Sequence, residues 1–143
     1  MIGAFKRLIV SRKPQPARRD VMGARPLRNS LVRWERRWAR EESPELVFLE
    51  VPRRRDRWGE WAARLLRLPD FRTIELDRMG SDVWELCDGS QTVEAITRTI
   101  CTRYKLNRRQ GEASVTAYLG MLADRRLVVL RMRAGQTKKG QKP

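Results

Sequence analysis

Histidine is absent from this sequence, and cysteine occurs only at Cys87 and Cys101. Without histidine, the usual zinc sites and imidazole acid–base catalysis are excluded. Both cysteines fall on apolar helical faces, where they read as small core side chains and not as redox or metal groups. No apolar run approaches the roughly 18 residues that a membrane-spanning helix needs. The most apolar start, Met1 to Val10, is broken by Lys6 and Arg7 and has no small-residue cleavage site, so no secretory signal is expected there. These absences lead to the expectation of a non-catalytic cytoplasmic protein with no cofactor and no metal.

Acidic residues are also scarce, 17 against 32 basic ones, for a net charge of +15. Such an excess points towards nucleic acid or an anionic membrane surface, but its placement matters. Residues 1 to 72 hold 19 basic and 9 acidic side chains, residues 73 to 126 hold 8 of each, and the last 17 residues carry five cations and no acid. The excess therefore belongs to the flanks, where weak nonspecific nucleic-acid contact or peripheral contact with an anionic membrane is expected.

From Phe71 to Leu130 the pattern is dense and local. Phe71 to Leu76 alternates as a strand. Asp77 is a good N-cap for a helix whose apolar face is Met79, Val83, Leu86 and Cys87, and Asp88-Gly89 ends it. Thr92 caps a second helix with Val93, Ile96, Ile100, Cys101 and Tyr104 at three- and four-residue spacing. Asn107 and Gln110 have the chemistry of a capping box for a third, with Val115, Tyr118, Leu119 and Leu122 on one face and an end near Arg125. Leu127 to Leu130 is too short for a helix and reads as a strand or wing.

Upstream, Leu46 to Val51 is a strand bounded by Pro44 and Pro52. Leu31 to Trp38 fits either a strand paired with it or a helical face. Residues 1 to 28, with Pro14, Pro16 and Pro26 among many arginines, read as a flexible basic arm without structure. A helix is expected at about 57–68, with Trp58, Trp61, Leu65 and Leu68 on one face; it reads as a cap on the sheet edge or as a membrane- or partner-binding helix. Residues 133 to 143 read as a disordered basic tail.

The run Val83-Trp-Glu-Leu-Cys-Asp-Gly-Ser-Gln-Thr-Val-Glu-Ala-Ile96, with Ser114-Val115, Tyr118-Leu119, Leu122 and then Arg126-Leu-Val128, resembles the PqqD family, over roughly residues 30 to 130. Two departures stand out: Arg126 occupies a place where members often have glycine, and residues 53 to 70 look like an insertion between strands. The resemblance implies an α+β, winged-helix-like domain at 29–132, with a three-stranded antiparallel sheet followed by three helices; it favours a strand over 31–38. It also implies a RiPP recognition element, which holds the leader of a precursor peptide for a modifying enzyme, commonly a radical SAM protein, in pyrroloquinoline quinone biosynthesis or a related pathway.

An unpaired sheet edge can accept an extended peptide as an added strand. The resemblance places this event between the third strand and third helix, here Arg72, Thr73, Ile74, Glu75 and Leu76 against Gly111 to Leu122. Val115, Tyr118, Leu119 and Ile74 are then the expected apolar floor, and Arg72 with Arg108 or Arg109 the expected contacts for acidic leader residues. The rivals are a winged helix-turn-helix on DNA and a membrane-surface adaptor. Against the first, the outward face of the third helix carries Glu112, Ala113, Thr116, Ala117, Gly120 and Asp124, which are small, neutral or acidic and poorly suited to base edges and phosphates.

Overall fold

The computed structural model describes residues 16–53, 57–67 and 70–133. In chain order its elements are α1 (Arg18–Gly23), β1 (Arg25–Arg28), β2 (Arg33–Trp38), β3 (Glu45–Pro52), α2 (Arg57–Leu66), β4 (Phe71–Glu75), α3 (Arg78–Leu86), α4 (Val93–Tyr104), α5 (Arg108–Asp124) and β5 (Val128–Arg131). Expectations for residues 1–15, for 54–56, for Leu68 and for the tail from 134 lie outside the described residues.

Strands β2, β3 and β4 form an antiparallel sheet in that order, so the segment 31–38 is strand and not helix from Arg33 onward. Alternation along β3 sends Val47 and Leu49 into the core, where α3 packs on that face of the sheet. Trp34 of β2 meets the fully buried Trp84 of α3 edge-on, with ring centroids 6.2 Å apart. Helices α3, α4 and α5 close the other side with Val83, Ile96, Ile100, Val115, Leu119 and Leu122. The result is the α+β, winged-helix-like arrangement expected from sequence.

The arm required correction. Residues 18–28 are structured: α1 packs on α4 through the buried Met22, and β1 pairs antiparallel with β5 from Arg25↔Arg131 to Arg28↔Val128. Tertiary pairing outweighs a sequence that reads as linker. Beyond its ladder with β5, β1 is gripped by the α3–α4 turn, where Arg28 donates to the Cys87 carbonyl and Gly89 donates to the Pro26 carbonyl, both at 2.9 Å. The terminal strand thus belongs to a second, two-stranded sheet, separate from β2–β4.

Local signals at the helix starts hold. The Asp77 carboxylate accepts from the Gly80 amide at 2.7 Å, Thr92 accepts from Ala95, and Asn107 with Gln110 makes both bonds of the capping box. Gly89 has φ 83°, and Arg126 also lies in the left-handed region at φ 59°.

One buried carboxylate ties sheet to helices. Asp82, on α3, accepts from the Tyr104 hydroxyl at 2.6 Å and is paired with Arg36 of β2 and Arg103 of α4, each at 3.1 Å. Burial alone would raise its pKa, but the hydrogen bonds from Tyr104, Arg103 and Arg36 outweigh that and hold it below the ordinary 3.8. The folded state thus gains stability from the ionised carboxyl above pH 3.8, and loses it as pH falls through the depressed value. Asp82→Asn keeps the shape and removes the charge. It is expected to cost about 1–3 kcal/mol at neutral pH. Urea unfolding across acid pH should show the gap between variant and parent closing as the parent carboxyl protonates; a pH-independent gap would contradict the assignment.

Candidate functional site

Strand β4 is an edge, and its backbone parity follows from two hydrogen bonds. Leu76 donates to the Val47 carbonyl at 2.9 Å, and Arg53 donates to the Asp70 carbonyl at 3.0 Å. With the register Leu49↔Ile74 and Val51↔Arg72, residues 70, 72, 74 and 76 aim their main-chain groups at β3. Phe71, Thr73 and Glu75 therefore aim theirs outward, and among the described residues no strand takes them up. The opposite edge, β2, is less open on its core side. There Trp34 lies against Trp84, and Arg36 is salt-bridged to Asp82 and to Glu85, the latter at 2.8 Å.

Tyr118 ties α5 to the start of α3, just beyond β4. Its hydroxyl donates to Asp77, two residues beyond the end of the strand, and its half-buried ring packs over Gly80. A Cβ on residue 80 would sit 2.9 Å from both the Tyr118 ring and the Asp77 carboxylate, so glycine is what lets the ring approach. Burial, then the hydrogen bond to Asp77, pushes the Tyr118 hydroxyl above its ordinary pKa, so it stays a neutral donor. Sequence periodicity put Tyr118 on the apolar stripe of α5 but did not point to Asp77 or Gly80 as its partners; the signal available was an N-cap with glycine three residues on.

Other expected site residues scatter. Ile74 is half-buried and lies on the same side of the sheet as Leu49. Arg72, Thr73 and Glu75 are exposed along β4, whereas Leu76 is buried. Val115 and Leu119 are wholly within the core, where they seat α5 and cannot form a floor for a ligand. Arg108 is paired with Glu94 of α4 at 3.4 Å. Arg109 stands half a turn around the helix from Tyr118, on the flank where Glu112 receives Arg18 of α1. Neither arginine is brought together with Arg72. Met121, partly exposed and three residues beyond Tyr118, is an apolar side chain on the same flank that the sequence reading did not select.

Comparison with known proteins agrees with this architecture. The family model described as coenzyme PQQ synthesis protein D (PqqD) matches residues 65–128, which run from the end of α2 to the start of β5. A curated protein named PqqA binding protein, from Rhodopseudomonas palustris (strain HaA2), is 33% identical over 69 residues, covering 48% of this chain and 68% of that protein. The chain belongs to the PqqD family. No solved structure matches significantly.

No group of three or more His, Cys, Asp or Glu side chains among the described residues could hold a metal ion. Burial pushes the Cys87 thiol up to about 12, which keeps it protonated and unreactive. A concavity of about 660 Å³ lies on the far face of the sheet, lined by residues that include Arg33, Arg37, Phe48, Glu50 and Thr73. There the Arg37 guanidinium sits 4.1 Å from the centre of the Phe48 ring. Phe48, Glu50 and Thr73 project away from α3, so this hollow and the Tyr118 flank are on opposite sides of β4.

Proposed function

We propose that this PqqD-family protein holds the leader of a precursor peptide as an added strand on β4 and presents it to a modifying enzyme of the radical SAM type. The observation that carries the reading is the open β4 edge, with the main-chain groups of Phe71, Thr73 and Glu75 turned outward and Tyr118 hydrogen-bonded to Asp77 just beyond the strand. Main-chain hydrogen bonds would supply affinity, and alternate peptide side chains would face the Ile74–Tyr118 flank. Arg72, exposed on β4, would meet an acidic leader residue, without a part for Arg108 and Arg109. Support also comes from the family description, which names coenzyme PQQ synthesis, and from the curated relative, whose name states that it binds PqqA.

Titration of the full chain with synthetic precursor peptides, PqqA first among them, tests the reading. Binding with Kd below roughly 100 μM is expected, the range of a short peptide held by one edge. Tyr118→Ala should weaken it about tenfold, the ordinary effect of losing one aromatic anchor. Retention of double-stranded DNA at about 0.15 M salt with no peptide bound would overturn the proposal in favour of nucleic acid.

A further inference from the structure

Among the described residues, helix α2 lays no extensive surface on a neighbouring element, and Trp61, Leu65 and Leu66 are 65%, 69% and 66% exposed. At 100° per residue these three fall with Ala62 on one side of the helix, while Glu60 and Arg64 fall on the other. An exposed apolar stripe of this kind needs a covering surface.

We propose that α2 is an interfacial anchor that lays Trp61, Leu65 and Leu66 on an anionic lipid bilayer. Its surroundings choose the occupant. From residue 53 to residue 72 the sequence has seven arginines and three acids, within a chain of net charge +15. A second copy of the chain would bring the same positive surface against this one, which repulsion opposes. Nucleic acid would satisfy the arginines but has no use for Leu65 and Leu66. An anionic bilayer satisfies both, with headgroup phosphates for arginine and the acyl boundary for tryptophan and leucine. Ten residues make a helix about 15 Å long, too short to cross a bilayer but long enough to lie in its surface. This inference is independent of the peptide-binding reading.

The test is co-sedimentation of the full chain with vesicles of phosphatidylcholine alone or mixed with phosphatidylglycerol. Pelleting with the anionic vesicles only, weakening as salt is raised, is expected. The double variant Trp61→Ser, Leu65→Ser should cut the bound fraction at least about tenfold, because it removes two large apolar contacts with lipid. Its melting temperature should match the parent's, since both side chains are exposed. Failure of the parent to pellet would overturn the proposal. So would a variant that pellets like the parent, because charge alone would then carry the binding. A concentration-dependent dimer abolished by the same variant would assign the face to self-association instead.

Discussion

Replacing Trp84 by alanine is expected to lower the stability of the fold by about 3–5 kcal/mol, the cost of truncating a buried aromatic side chain and leaving a void. Trp84 is completely buried and is the largest side chain to be so among the described residues. It sits where α3 meets the sheet, and its ring supports Trp34 of β2, over which the Arg28 guanidinium lies 5.0 Å from the ring centre. Arg28 also donates to the carbonyls of Trp84 and Glu85, at 3.1 and 2.7 Å, placing a cation on the last turn of α3. Truncation would therefore loosen β1, β2 and α3 together. For a domain of this size the fall in melting temperature should exceed about 12 °C. Trp84→Phe should cost much less, since it retains a ring and removes an indole N–H that has no acceptor in the core. Urea unfolding of both variants is the measurement. A loss below about 1 kcal/mol for alanine would mean that the site collapses freely and that the Trp34–Trp84 contact does not organise the core.

The difference between what sequence revealed and what it concealed follows from the range of the interactions. Asp77, Thr92, Asn107 and Gln110 could be read because a cap binds amides two or three residues away. Strand β3 could be read because β-branched and aromatic residues between two prolines report their own burial. By contrast, Arg25-Pro-Leu-Arg28 carries no alternating pattern; its pairing with β5 spans about a hundred residues, and nothing local announces it. At the site, the three- and four-residue spacing found the apolar stripe of α5 but could not divide it. Val115 and Leu119 point at the middle of the core, while Tyr118 lies at the stripe's border, where its hydroxyl reaches Asp77. Arg108 shares a helix with Tyr118 but not its surroundings, being ten residues away, about 15 Å along the axis, and paired with Glu94. Exposure of α2 was concealed as well, since an amphipathic stripe looks the same whether its partner is the chain's own sheet or something outside it.

Thr73→Pro is expected to weaken leader-peptide binding by about ten- to a hundredfold while leaving the fold nearly intact. The Thr73 N–H points away from β3, so the proline ring removes a donor that the resident sheet does not use and places bulk in the path of an incoming strand. One lost main-chain bond in a partly desolvated edge is worth about 1–3 kcal/mol, which sets the range. Arg72→Pro supplies the contrast. The Arg72 N–H faces Val51, so the same ring one residue earlier breaks the ladder and should lower the melting temperature measurably. Thr73 also borders the hollow on the far face of the sheet, and Phe48→Ala separates the two locations. It empties part of the hollow under Arg37 and leaves the β4 main chain alone, so peptide affinity should survive it. Isothermal titration of the three variants beside thermal melting gives a signature that depends on parity along the strand, which a nonspecific surface effect would not reproduce. Unchanged affinity in Thr73→Pro, with loss in Phe48→Ala, would move the peptide off the β4 edge and into the hollow.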